Sequence, residues 1–220
     1  MIQPFIRNHQ YNVIKKQSLL LQKTYETVSD PKVVESVKSS APFKLLEAFP
    51  EADDLQKPLL EKISGLRTAE ESKHYPESLE SYLAPFPALT GKQLAKLFPK
   101  NKKLKIPDLS EIDYRYVTYL GWTDIAANKL FLVYPLNGKL IGIEGRYTPA
   151  NKGVCFLCNK HEEVALFTAV TKSRPAKASS DYYKAIGNYL CVDSIVCNRN
   201  ITNVTTLDKF VREVVGYTES

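Results

Sequence analysis

Histidine is scarce in this chain, three in 220 residues, and methionine and tryptophan occur once each. Three imidazoles leave little material for a hydrolase triad, and the motifs that would organise one are missing. The sequence contains no His-Glu-x-x-His, no Gly-x-Ser-x-Gly elbow, no GxxxxGK[ST] phosphate loop and no dinucleotide fingerprint. Acid pairs such as Asp53-Asp54 and Glu162-Glu163 read as solvated charge rather than an acid/base couple. Together these absences argue against an enzyme. Long apolar runs are also lacking: the opening MIQPFIRNHQYNVIKK holds neither a signal core nor a membrane span. A cytoplasmic protein is expected.

Cysteine is limited to four residues, all in the last third of the chain. They form two pairs, Cys155 with Cys158 and Cys191 with Cys197. A Cys-x-x-Cys bites one metal from a tight turn, and a second pair from elsewhere completes a sulfur tetrahedron around zinc. Four thiolates close the coordination shell, so the site is structural; a catalytic zinc keeps a position open for water. Two disulfides would need an oxidising compartment, for which there is no signal. A redox Cys-x-x-Cys would leave Cys191 and Cys197 without a role. His161, three residues beyond Cys158, is read as a turn residue, and His9 and His74 as isolated histidines rather than ligands.

The charge is +6 overall, and its excess lies in the first half, with 17 basic against 12 acidic residues up to Ile106. Lys92, Lys96, Lys100, Lys102, Lys103 and Lys105 form a run with no acid inside it. It reads either as a solvated helix end and linker or as a face for an acidic partner, nucleic acid or protein.

Helical periodicity dominates up to residue 99. An amphipathic helix is predicted over 9–28, with Ile14, Leu21, Tyr25 and Val28 on one face. Asp30-Pro31 starts a second helix and Ser40-Ala41-Pro42 restarts the pattern. Further helices are expected over 53–65, where Pro58 threatens a kink, and over 68–84 and 90–99. This is the pattern of a helical bundle. Residues 100–107 form a basic, proline-ended junction, after which aromatic and β-branched residues take over.

Over 108–220 a short helix is predicted at 122–128, then strands at 130–134 and 139–147 around Asn137-Gly138, a strong hairpin signal. Strands at 164–170 and 188–191 follow, separated by the small polar segment 173–180, expected to be mobile. A terminal helix, capped by Thr205 or Thr206, lines Leu207, Phe210, Val211, Val214 and Val215 along one side. The fold class is α+β, with an N-terminal helical bundle over 1–99 and a zinc-bearing, treble-clef-like domain over 108–220.

The runs GVCFLCNKHEEVALF (153–167) and GNYLCVDSIVCNRNITNV (187–204) resemble the zinc domain of the fusidic acid resistance family, the elongation factor G-binding proteins of FusB type. HQYNVI (9–14), KKLKIPDLSEIDY (102–114) and GWTDIAANK (121–129) extend the resemblance over nearly the whole chain. It implies one structural zinc on Cys155, Cys158, Cys191 and Cys197. It implies further that the chain binds the translational GTPase elongation factor G and promotes its release from the ribosome, giving resistance by target protection without modifying the drug. The resemblance places Tyr189 and Phe210 on the family's factor-binding positions, and Lys184 is the nearest candidate for its interface lysine, with a spacing that differs by a couple of residues. Val154 stands where relatives carry a phenylalanine before the first cysteine, which removes contact area from that surface. The alternative is a zinc-containing RNA- or ribosome-binding module, served by the lysine run.

Overall fold

A computed structural model describes residues 2–172, 179 and 183–216. The segment expected to be mobile, 173–180, lies outside the described residues apart from Ser179. The chain forms two compact units, Met1–Ala84 and Pro85–Ser220.

The first unit is helical. α1 (Asn8–Thr27) opens on a capping box, in which the Gln10 side chain accepts from the Arg7 amide at 2.9 Å. It buries Tyr11, Ile14 and Leu21. Asp30 caps α2 (Pro31–Ala48) by accepting from the Lys32 amide. The expected break at Pro42 does not occur, and α2 runs through it. Ala41 and Leu45 flank the proline and are fully packed, and the Ser39 and Ser40 hydroxyls donate to carbonyls of the preceding turn. Burial here outweighs one lost backbone bond.

α3 (Lys57–Glu61) starts one residue before Pro58, so the proline sits in the first turn, where it costs nothing. A 3₁₀ turn over Lys62–Gly65, α4 (Ala69–His74) and a second 3₁₀ stretch over Glu77–Tyr82 follow. The buried Tyr75 hydroxyl donates to the Leu59 and Leu60 carbonyls at 2.9 and 3.0 Å. A bridge between Ile6 and Leu83 brings the two ends of the unit together.

The second unit is a five-stranded antiparallel meander, β1 (Leu120–Asp124), β2 (Lys129–Leu136), β3 (Lys139–Val154), β4 (His161–Val170) and β5 (Ala185–Cys191). Asn137 and Gly138, both at positive φ, close the β2–β3 hairpin, as the Asn-Gly signal predicts. β3 is long because its first half pairs with β2 and its second with β4, with an irregularity between Pro149 and Lys152. The helix predicted at 122–128 is instead β1 and a turn. Trp122 pairs with Phe131 across the ladder and their rings stack at 5.1 Å, a contact available only to a strand. Asn128 supplies the turn's positive φ.

β2 is covered on both faces, so LFLVY is uniformly apolar. Leu130, Leu132 and Tyr134 enter a core shared with the cysteines and with α7 (Thr205–Val215). Phe131 and Val133 enter a separate core with Leu94 and Phe98 of the segment around α5 (Gly91–Leu97). α5 thereby belongs to the second compact unit, whereas composition placed the boundary near residue 100. α6 (Ser194–Asn200) links β5 to α7.

Gly145 lets β3 and β4 close over this core. A Cβ there would lie 2.4 Å from the Phe167 ring and 2.6 Å from the Thr168 carbonyl oxygen, one of them rigid backbone. Gly145→Ala is expected to destabilise the unit by ~3 kcal/mol through overpacking. Denaturant unfolding measures it, and an unchanged midpoint would contradict the packing described.

Candidate metal centre

Three local devices place the four cysteines. The knuckle Cys155–Cys158 begins where β3 ends. There the Cys155 amide donates to the Lys160 carbonyl, the Asn159 amide to the Cys155 carbonyl, and Asn159 takes φ 54° to turn the chain back. Cys191 closes β5, paired with Val164 of β4. Cys197 lies one turn into α6, whose first turn is capped by Asp193 accepting from the Ile195 amide at 2.7 Å.

α6 is in turn fixed to β1. Ser194 donates to the Gly121 carbonyl at 2.7 Å, and the buried Asn198 accepts from the Thr118 and Tyr119 amides while donating to the Tyr119 carbonyl. These two side chains, four residues apart on one helical face, set the position of Cys197 between them.

The four Sγ atoms lie within 4.8 Å of one another and all four cysteines are buried. Cys155 and Cys197 are 3.8 Å apart, and Cys158 and Cys191 3.7 Å, sulfur to sulfur. A disulfide needs about 2.05 Å. A tetrahedron with metal–sulfur bonds of about 2.3 Å places its sulfurs about 3.8 Å apart. The observed spacings therefore fit a tetrahedral thiolate site, and the Cys191 amide donates to Cys155 Sγ at 3.3 Å, as it would to a thiolate. His161 is outside this group.

In a chain with no bound cation the four thiols could not all ionise. Sulfhydryl hydrogen bonds from Cys158, Cys191 and Cys197 push Cys155 down, whereas hydrogen bonding to Cys155 pushes Cys191 and Cys197 up. Burial raises the Tyr119 phenol well above its ordinary range, so a neutral hydroxyl faces the sulfurs.

The residues expected to meet a partner are distributed unevenly. Val154 is 56% exposed and Tyr189 50%. Lys184 pairs with Glu213 of α7 at 2.7 Å, both half exposed. Phe210 is only 3% exposed, because Leu207, Phe210, Val211 and Val214 of α7 form its buried face. Its ring packs between Phe156 at 6.3 Å and Phe167 at 5.9 Å.

Phe156 is the surface aromatic that sequence reasoning missed. It is 39% exposed and its amide donates to the Tyr189 carbonyl at 2.7 Å, which sets the two residues side by side. The available signal was its place between the two cysteines of one knuckle.

A zinc knuckle, a β-hairpin and a helix bearing the last ligand define a treble-clef protein with a preceding helical unit. Residues 97–215 match the family described as FBP C-terminal treble-clef zinc-finger, and residues 5–87 match the N-terminal region of elongation factor G-binding protein. The chain belongs to the elongation factor G-binding protein family. It is similar to the solved structure of the fusidic acid resistance protein FusC, with a TM-score of 0.77 and 29% identity over 96% of this chain and 98% of that one. No curated protein matches the chain. Among the described residues, no helix is long and apolar enough to cross a membrane.

The geometry predicts one tightly held metal per chain. Purified protein should carry about one zinc by elemental analysis, and Cys155→Ser or Cys197→Ser should lose it and lower the thermal midpoint by at least about 10 °C. Because all four ligands must be deprotonated, affinity should fall as pH is lowered. Metal-free protein of unchanged stability would contradict this assignment.

Proposed function

We propose that this chain binds elongation factor G through its zinc-bearing unit and promotes the factor's departure from the ribosome, giving fusidic acid resistance by target protection. The observation that carries the reading is the aromatic pair Phe156 and Tyr189, exposed on the rim of the four-cysteine cluster and joined through their backbones. Aromatic side chains are the usual anchors of protein interfaces, because they bury large area at little entropic cost. Val154 extends the patch, and Phe210 backs Phe156 from below. Phe156 lies one residue beyond the first cysteine and supplies a ring close to the position where Val154 lacks one.

Cys155, Cys158, Cys191 and Cys197 would hold a single structural zinc. Its charge would let four buried thiolates coexist and its binding free energy would add to that of folding. The knuckle and β5 are then fixed relative to each other, so the patch is organised before the partner arrives. Lys184, at the start of β5, adds a positive charge that meets Glu213 in the free chain and remains half exposed. The reading needs only binding. To release a trapped factor, the chain must bind it better in a state that holds the ribosome weakly, since a ligand shifts an equilibrium only through differential affinity.

Calorimetric titration of the chain into elongation factor G tests this. Phe156→Ala and Tyr189→Ala should each weaken binding at least tenfold, about 1.4 kcal/mol. Both sites are surface positions, so the variants should fold, and Val33→Ala in the first unit should leave affinity unchanged. Wild-type affinity in both ring variants, or no binding by the native chain, would refute the proposal.

A further inference from the structure

The lysine run of residues 92–105 has no part in the factor-binding patch. α5 carries Lys92 and Lys96 four residues apart on its exposed side, with Leu94 and Phe98 buried beneath. Lys100, Lys102 and Lys103 continue along exposed positions. Their loop is held in place: the Asn101 amide donates to the Phe98 carbonyl, its side chain bonds Glu144 and Lys129, and the Trp122 indole donates to the Lys105 carbonyl at 2.8 Å. Leu104 packs against the Phe98 core.

None of these five lysines has an ion-pair partner among the described residues. Two carboxylates touching the loop are already engaged, Glu144 by Lys129 at 3.3 Å and Asp124 by Lys105 at 3.8 Å. The positive field of this face is therefore not neutralised by those acids.

The surface chemistry distinguishes between two classes of acidic partner. Protein interfaces are anchored by aromatics and arginine and are depleted of lysine. From 91 to 105 the exposed side chains are lysine, glutamine, alanine and proline, with no ring and no guanidinium. A phosphate backbone needs no such anchors, because lysines that displace condensed counterions gain affinity directly. We propose that this face binds the phosphodiester backbone of a nucleic acid without reading its sequence. The proposal goes beyond the factor-binding reading and does not depend on it.

Fluorescence anisotropy of the full chain with labelled duplexes of about 16 bp, one RNA and one DNA of the same sequence, tests it. Binding should weaken steeply between about 50 and 200 mM salt, with a log–log slope of about −4.5 for five phosphate contacts. The variant Lys92→Gln/Lys96→Gln/Lys100→Gln/Lys102→Gln/Lys103→Gln should lose at least tenfold in affinity and about four units of slope while keeping its affinity for elongation factor G. Tighter binding to the RNA duplex would assign the face to RNA, and equal binding to either backbone. The proposal is overturned if neither duplex binds, or if the variant binds them as the native chain does. It is also overturned if the variant loses elongation factor G instead, which would make the run a protein-binding surface. None of these outcomes alters the test of Phe156 and Tyr189.

Discussion

Four thiols packed within 4.8 Å of one another in a buried site repel as thiolates and need a cation to stay ionised together. That requirement ties three separate pieces of chain to one point: the knuckle after β3, the end of β5 and the first turn of α6. The rest of the second unit is arranged around the tie. Ser194 and Asn198 carry the constraint from α6 to β1, and the Lys184–Glu213 pair carries it from β5 to α7, though an exposed pair of this kind contributes only about 0–1 kcal/mol.

The tie also explains why an aromatic patch can sit on a small domain without being drawn into its core. Phe156 lies between two ligands of the knuckle, and its amide is committed to the Tyr189 carbonyl. Phe210 fills the space beneath that an inward ring would occupy. Surface and core are therefore continuous: the buried Phe210 ring packs beneath the partly exposed ring of Phe156 in the knuckle. Truncating Phe210 would disturb the patch without removing an exposed ring.

Much of this was legible in the residues alone. Cysteine spacing identified the cluster because metal chemistry leaves few alternatives for four thiols in two pairs. Asn137-Gly138 fixed a hairpin because few other residues accept its two positive φ values. The stripe of α7 showed a buried face, although periodicity could not say that Phe210 would be covered by the sheet. The misses have a common cause in long-range packing. Pro42 lies inside a helix that burial of Ala41 and Leu45 carries through, and Trp122 joins a strand only because Phe131 is opposite. The basic stretch after α5 resembled a domain junction by composition, yet Leu94, Phe98 and Leu104 bind it to the sheet's second core. Local patterns report what a segment permits, and these three segments were decided by partners distant in sequence.

The four-cysteine cluster ties the knuckle, β5 and α6 together and thereby organises the surface of the second unit. Hydrogen exchange of the full chain with and without a zinc chelator measures this dependence. Amides of residues 155–159 and 188–200 should lose protection when the metal is withdrawn, while those of α1 in the first unit keep theirs. Unchanged protection across the knuckle, β5 and α6 after verified metal loss would mean that the cluster does not organise this surface.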